Sequence, residues 1–265
     1  MFWIVACACF SRLPPSAASF YAGQIFQGTC RKIYVMLYKN TVSPAMWELM
    51  QRLMKDDVLK DFVLVGGTAL SLKIGHRLSV DIDLFTQKDF NAQAVLRHLE
   101  REYRAEPSKQ DTNSIMTFIN DIKVDLISHK YLQVKPAVTI EDIRMVSIED
   151  IGAMKLHAIV QSGKRYKDFV DMYYLLEHHP LQVYLDAYKA KYETNPALAR
   201  NGLLYHKNVL SIQGVLNTDG QEIKMPIVED RLRNALINTG MLFGNANKEV
   251  IREEPPIQKR KGFRR

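Results

Sequence analysis

The chain has 265 residues, of which 47% are hydrophobic and 25% are charged, as in an ordinary folded protein with one large or two small domains. Its net charge of +7 is concentrated at the two ends, because residues 1–35 and 252–265 carry the whole excess and residues 36–251 sum to zero. This distribution excludes a fold that is basic all over, so a surface for nucleic acid must be a local patch.

The cysteines and the apolar segments indicate the compartment. All three cysteines lie within the first 35 residues, so the rest of the chain has no disulfide and no zinc site of cysteine and histidine ligands. We therefore expect a reducing compartment, the cytoplasm. No apolar stretch is long enough to span a membrane, and we expect no membrane partner.

Residues 1–43 are predicted to be an N-terminal extension. Residues 2–10 are apolar, but no positive charge precedes them as it would in a signal peptide. We expect residues 1–35 to be disordered or to lie upstream of a true start at Met36. Ser43 and Pro44 then suit the N-cap and the first position of a helix.

The most informative stretch is residues 62–85, which begins with a short apolar run at 62–65 that suits a buried strand. Gly66 and Gly67 follow at once, and residues 68–74 are long enough for two helical turns. Glycines let a backbone turn come close to a phosphate, which can accept hydrogen bonds from the amides of a helix N-terminus.

The end of this stretch places two carboxylates on one face of a strand. Val80, Ile82 and Leu84 alternate with Asp81 and Asp83, so the aliphatic side chains should face the core and the aspartates the other side. At ~3.3 Å per residue the two aspartates lie about 7 Å apart along the backbone. They can converge on one hard cation such as Mg²⁺, which prefers oxygen ligands.

The next segments predict a helix over residues 91–103 and a hairpin with strands at 114–118 and 122–127, joined around Asn120 and Asp121. Asp125 lies among aliphatic residues of the second hairpin strand. A buried carboxylate needs a cation or a hydrogen-bond donor nearby. Asp125 is therefore either such a residue or an aspartate that faces solvent.

Further helices are predicted towards the C-terminus. Ser147 resembles the first residue of a capping box with Asp150 in place of the usual glutamate, and the helix should end near Gly163. Asp168 and Asp171 are three residues apart, so they share one face of the next helix. Two more helices are expected over residues 181–192 and 196–206.

Taken together, the glycine turn and the Asp-x-Asp strand resemble the nucleotidyltransferase signature of the DNA polymerase β superfamily. The form Gly66-Gly-Thr-Ala-Leu70, followed by Arg77-x-Ser-x-Asp-x-Asp-x-Phe85, is similar to the AbiEii/AbiGii-type nucleotidyl transferase toxins. Residues 155–171 resemble that family's second block. The resemblance covers roughly residues 44–207.

The resemblance implies an α/β (α+β) nucleotidyltransferase fold, a small mixed sheet flanked by helices and followed by a helical C-terminal part. We expect a catalytic domain over residues 44–145, a helical part over 146–210 that completes the nucleotide pocket, and a region of uncertain role over 211–265 that ends in a basic tail.

The resemblance also implies the roles of the site residues. Asp81, Asp83 and Asp125 would hold Mg²⁺, with Asp125 as a ligand of a second ion or as the base. Lys155 would be catalytic by offsetting charge on the triphosphate. The other nucleotide-binding residues would be Gly66, Gly67, Thr68, Arg77, Ser79, Arg165, Lys167, Asp168 and Asp171, although Arg77 could instead pair with an acid.

The implied function is transfer of a nucleoside monophosphate from an NTP to an acceptor, which is tRNA in some members. The chain would be the toxin of a toxin–antitoxin or phage-defence pair, neutralised by a separately encoded antitoxin protein or RNA. Three alternatives stay open. They are an antibiotic-modifying nucleotidyltransferase with a small-molecule acceptor, a non-catalytic RNA-binding protein on the same fold, and a plain structural protein.

Overall fold

A computed structural model describes residues 36–205, 209 and 215–244. The predictions made for residues 1–35 and for the basic tail lie outside the described residues. Within the described part the secondary structure consists of seven strands and eight α-helices. The strands are β1 (Val63–Leu64), β2 (Asp81–Thr86), β3 (Glu106–Asp111), β4 (Ser114–Ile119), β5 (Ile122–Ser128), β6 (Val138–Ile140) and β7 (Ile143–Met145). The helices are α1 (Pro44–Lys55), α2 (Gly66–Ile74), α3 (Ala92–Tyr103), α4 (Ile148–Gln161), α5 (Tyr166–Leu175), α6 (Leu181–Tyr192), α7 (Pro196–Gly202) and α8 (Met225–Ile237).

The strands form one mixed sheet in the order β3-β4-β5-β2-β1-β7-β6. Strands β2 and β5 lie parallel at its centre, and β1 also runs parallel to β7, whereas the other neighbours are antiparallel. The central strands are held by aliphatic side chains that are almost fully buried, namely Ile82, Leu84, Val124 and Leu126. The predicted fold, a mixed sheet flanked by helices and followed by a helical part, is confirmed.

Ser43 and Ser147 cap the N-termini of α1 and α4, as the sequence predicts. Ser43 accepts a hydrogen bond from the Met46 amide at the start of α1, and Ser147 accepts one from the Asp150 amide at the start of α4. Each cap satisfies an amide that has no partner within its helix. The C-terminal end of α4 is followed by Gly163 in the left-handed region, at φ +59°, as expected of a helix-ending glycine.

The hairpin between β4 and β5 is also confirmed. Asn120 and Asp121 form its two-residue turn with φ values of +50° and +60°, the positive values of a type I′ turn. This turn fixes the register that pairs Met116 with Asp125. The position of Asp125 on the sheet is therefore set by local sequence.

Several element boundaries differ from the prediction. Strand β1 is only two residues long, because α2 already begins at Gly66 rather than at Thr68. Strand β2 begins at Asp81, so Val80 lies before it and is 63% exposed instead of sharing the buried face. Helix α7 ends at Gly202, four residues earlier than expected.

Both flanks of the expected catalytic region contribute to the described fold. Leu37 is buried, and the amide of Tyr38 donates to the carbonyl of Leu72. At the other flank, α8 packs against α5. Arg231 of α8 forms an ion pair of 2.6 Å with Glu177, which follows α5. None of the described helices is long and apolar enough to cross a membrane.

Candidate active site

The centre of the sheet brings together carboxylates that are distant in sequence. Strands β2 and β5 are parallel, and their register places Asp83 opposite Asp125 and Asp81 opposite Lys123. Because side chains alternate along a strand, all four lie on the same face of the sheet. The aspartates that the family resemblance singles out therefore share one face of the sheet, which we call the carboxylate face (Asp81, Asp83 and Asp125).

The carboxylates of this face are crowded and incompletely paired. The Oδ2 atom of Asp125 pairs with the Nζ atom of Lys123, whereas its buried Oδ1 atom has no hydrogen-bond partner. Burial raises the pKa of Asp83, and the nearby carboxylates of Asp125 and Asp81 raise it further although Lys155 acts against them. The charged form of Asp83 is thus disfavoured unless positive charge is brought close.

These side chains have the donor chemistry that a divalent cation requires. Mg²⁺ prefers carboxylate oxygens as ligands, and the unpaired, buried Oδ1 atom of Asp125 is one such oxygen. As they lie, no three or more His, Cys, Asp or Glu side chains in the described ranges are arranged to hold a metal ion. Binding through Asp81, Asp83 and Asp125 would therefore require side-chain movement, and the pairing of Asp125 with Lys123 is the contact that an ion would replace.

The two glycines are required by the side chains that pack against them. Gly66 has φ +69°, and a Cβ atom there would clash with the Asp83 carboxylate. A Cβ atom at Gly67 would clash with the guanidinium of Arg77. The glycine pair therefore lets Asp83 and Arg77 reach the N-terminus of α2.

The hydroxyls of Thr68 and Ser79 have a structural use. Their Oγ atoms are 2.8 Å apart and hydrogen bonded, and Thr68 also donates to the main-chain carbonyl of Asp81. Both residues are buried. They tie α2 to the start of β2, so the phosphate contact expected of the Thr68 hydroxyl would compete with these bonds.

Lys155 lies in a buried ion-pair cluster with Arg77, Asp168 and Asp171. Its Nζ atom is 2.8 Å from Asp168 Oδ1 and 2.7 Å from Asp171 Oδ2. Arg77 donates two hydrogen bonds to Asp171, from Nε to Oδ1 at 2.7 Å and from Nη2 to Oδ2 at 3.1 Å. Each of the two buried cations therefore has a buried carboxylate partner, and Lys155 lies between two carboxylates.

Arg77 pairs with an acid, Asp171, which is the second of the two roles considered for it. It lies 94 residues from its partner in sequence. His76, the residue before it, also reaches Asp171, with its Nε2 atom 2.8 Å from Oδ1. This loop is therefore fastened to α5 through one buried carboxylate.

A cleft with a volume of about 680 Å³ opens beside these residues. Its charged part is lined by five of the residues that the resemblance singles out: Gly66, Asp83, Lys155, Arg165 and Asp168. The other eight predicted site residues do not line it, namely Gly67, Thr68, Arg77, Ser79, Asp81, Asp125, Lys167 and Asp171. The Arg165 side chain is 65% exposed and approaches Asp168 Oδ2 to 3.3 Å, which makes it a cation at the rim that a phosphate could reach.

The other side of the cleft is aromatic, and the sequence reasoning missed it. His129, Tyr131, His157 and Tyr192 line it. They come from the segment after β5, from α4 and from α6, so no single stretch of sequence carries the pattern. The one local signal is the run from His129 to Tyr131, which directly follows the strand that bears Asp125.

Comparison with known proteins gives the family. Residues 48–239 match the family described as nucleotidyl transferase AbiEii toxin, type IV TA system. The match extends beyond residue 207, so the expectation that the resemblance ends there was wrong, and α8 lies within the matched residues. An uncharacterized protein from Aquifex aeolicus is 30% identical over 136 residues, which are 50% of this chain and 66% of that protein, just under two thirds of its length.

Solved structures give weaker similarities. A protein from H. pylori described as a nucleotidyltransferase aligns with 19% identity over 74% of this chain and 91% of its own, at a TM-score of 0.46. The Megavirus polyadenylate synthase aligns with 20% identity over 49% of this chain and 30% of its own, at a TM-score of 0.36. The family match covers most of the chain, and the chain therefore belongs to the AbiEii family of nucleotidyl transferase toxins.

Proposed function

We propose that the chain transfers a nucleoside monophosphate from an NTP to an RNA acceptor, such as tRNA, with the help of Mg²⁺. The observation that carries this proposal is the carboxylate face itself, where Asp83 lies opposite Asp125 and next to the turn at Gly66. A crowded set of carboxylates with an unpaired oxygen is suited to a cation-assisted reaction of phosphates.

The chemistry is an in-line displacement. The acceptor hydroxyl oxygen forms a bond to the α-phosphorus of the NTP, the bond to pyrophosphate breaks, and the hydroxyl proton passes to a base. Asp81 and Asp83 would hold the metal ion, which, when bound, supplies positive charge to the triphosphate. Asp125 would have one of two roles: its unpaired Oδ1 atom would either bind a second ion or, with no ion on it, accept the hydroxyl proton.

The remaining residues position the reactants. The N-terminus of α2 at Gly66 presents backbone amides that favour a phosphate. Arg165 at the rim of the cleft offers an exposed cation. Lys155 and Lys167 are weaker candidates for direct phosphate contact, because Lys155 is already bound to two aspartates and Lys167 lies outside the cleft.

We further propose that the chain acts in the cytoplasm as the toxin of a toxin–antitoxin or phage-defence pair, with a separately encoded antitoxin protein or RNA as its partner. The family name supports the toxin role. Blocking an RNA by adding nucleotides would need the carboxylate face, so toxicity and transfer should disappear together.

The direct test is to incubate the purified protein with each labelled NTP, Mg²⁺ and total RNA. Labelled RNA is the expected result, and chelation of Mg²⁺ should abolish it. Label on an aminoglycoside or another small hydroxyl compound, with none on RNA, would instead support an antibiotic-modifying enzyme.

Growth of a bacterium that lacks the antitoxin tests the toxin role. The wild type should slow growth, and Asp83→Asn at matched expression should not. A non-catalytic RNA-binding protein would stay toxic when Asp83 is lost, because binding through basic residues does not need that carboxylate.

A further inference from the structure

The aromatic side of the cleft is a continuous surface of packed rings. His157 and Tyr192 stack with centroids 3.9 Å apart and planes at 8°. Tyr131 packs edge-on against Tyr192 at 4.7 Å and against His129 at 4.8 Å. We call His129, Tyr131, His157 and Tyr192 the aromatic wall.

Hydrogen bonds hold this wall in place. The His129 amide donates to the carbonyl of Thr86 at 2.7 Å, which fastens the segment to the end of β2. The Tyr192 hydroxyl lies 3.2 Å from His129 Nε2, and Gln87 donates to the Tyr131 carbonyl at 2.9 Å. A surface held in this way loses little conformational freedom when a ligand stacks on it.

The wall is also largely uncharged and partly open. Burial lowers the pKa of His129 to about 4, so its ring is neutral at physiological pH. Aromatic clusters are most often plain core, but the Tyr131 side chain is 44% exposed and borders the cleft. The ring of Tyr131 is therefore the part of the wall that is open to a molecule in the cleft.

The same cleft joins the aromatic wall to the charged part, where Asp83, Lys155 and Arg165 lie. A ligand that suits both parts has a polyanionic end and a flat aromatic end. The volume of about 680 Å³ lies within the range of small-molecule sites. Nucleotides have this division, with phosphates at one end and a base at the other.

We propose that the aromatic wall is the site that stacks a nucleobase, with Tyr131 as its principal contact. This proposal rests on the proposed function and adds the subsite that binds the base. The base has two possible sources, the incoming NTP and the terminal nucleotide of the acceptor RNA. Stacking would tolerate all four bases, because every base has a π-face.

Binding measurements separate the wall from the phosphate end. With Mg²⁺ present, the affinities of ATP, CTP, GTP and UTP are compared with that of inorganic tripolyphosphate, which has the charge but no base. If the base belongs to the incoming NTP, Tyr131→Ala should weaken NTP binding by about five- to 150-fold, the range for loss of one stacked aromatic. Its affinity for tripolyphosphate should stay at the wild-type value.

Two further variants serve as controls. Tyr131→Phe keeps the ring and should bind NTPs like the wild type. Phe118→Ala removes an aromatic side chain that is 40% exposed on β4 and does not line the cleft, so it should change neither affinity. Unfolding in urea checks that each variant is folded.

A single-stranded RNA oligonucleotide distinguishes the two sources of the base. Weaker NTP binding by Tyr131→Ala assigns the wall to the incoming nucleotide, and weaker RNA binding alone assigns it to the acceptor. Unchanged binding of both ligands in Tyr131→Ala overturns the proposal. If the wild type binds neither NTP nor tripolyphosphate, the proposed function fails as well, and that pattern differs from a failure of the wall alone.

Discussion

Two groups of aspartates lie near Lys155, and they differ in how their charge is balanced. Although burial alone would raise its pKa, Asp171 has a pKa well below its ordinary value, because Arg77 and Lys155 stabilise the charged form. Asp83 has a raised pKa, because it is buried close to Asp125 and Asp81. The charges of the ion-pair cluster are thus matched, whereas those of the carboxylate face are only partly balanced by Lys123 and Lys155.

This difference separates structural residues from candidate catalytic residues. Removing a buried aspartate whose charge is matched leaves its partners with uncompensated charge, so such a residue is needed by the loop and the helix that it connects. Crowded carboxylates that disfavour their own ionisation are typical of functional sites. We therefore propose that the buried ion pairs of residues 155–171 support the site and that the Asp-x-Asp strand carries the chemistry.

The largest expected effect comes from breaking the ion-pair cluster. Asp171→Ala leaves Arg77 and Lys155 buried with unmatched charge, so the free energy of unfolding should fall by about 3–5 kcal/mol. Urea unfolding measures it. Asp111→Ala is the control, because Asp111 pairs with Lys109 on the surface and such pairs contribute about 0–1 kcal/mol. Equal small losses for both variants would show that the cluster is not structural.

The neighbouring glycines extend the comparison, because each contacts a different group. Gly67→Ala would push Arg77 away from Asp171 and should lower the free energy of unfolding by about 1–3 kcal/mol, as overpacking does. Gly66→Ala would displace Asp83 and should impair transfer more than Gly67→Ala does, in addition to a backbone cost of about 1–2 kcal/mol at its positive φ. Stability and transfer are measured on both proteins. Identical profiles would contradict the division into two groups.

The smallest expected effect is a gain in the free energy of unfolding rather than a loss, and it should depend on pH. In metal-free buffer, Asp83→Asn should unfold at higher urea than the wild type at pH 7, because it removes a carboxylate whose ionisation the fold disfavours. The pKa of Asp83 is higher in the folded than in the unfolded state, so the difference should be absent below the unfolded value of about 3.9 and grow as pH rises through the folded value.

The matched substitution Asp171→Asn should unfold at lower urea than the wild type at pH 7. The pKa of Asp171 is lowered by folding, so its stabilising effect is present above about 3.9 and is lost as pH falls further. Urea midpoints between pH 3 and pH 8 give both curves. Curves of the same sign for the two variants would refute the electrostatic contrast.

Much of the fold can be predicted from sequence because it is locally encoded. Period-two alternation identifies β2 and β5, and the turn at Asn120 and Asp121 sets the register of β5 against β4. The pairing of Asp83 with Asp125 could be anticipated only through the family resemblance, since nothing local states that β2 and β5 are neighbours. Val80 was placed wrongly because alternation does not mark where a strand begins.

The partners of the charged side chains could not be predicted. Helical spacing correctly places Asp168 and Asp171 on one face of α5, but it does not identify Lys155, 13 residues from Asp168, or Arg77, 94 residues from Asp171, as their partners. The aromatic wall could not be predicted for the same reason, because its rings come from separate elements that meet only in the folded chain. Such contacts depend on tertiary packing rather than on local pattern.

The central claim is that the carboxylate face performs chemistry and does not hold the fold together. The most direct test measures NTP-dependent labelling of RNA and urea unfolding on one protein, Asp81→Asn with Asp83→Asn. We predict a folded protein whose transfer rate is at least about a hundredfold lower, since loss of charge stabilisation at such a site typically costs ~3 kcal/mol. Undiminished transfer, or loss of transfer only through unfolding, would contradict the claim.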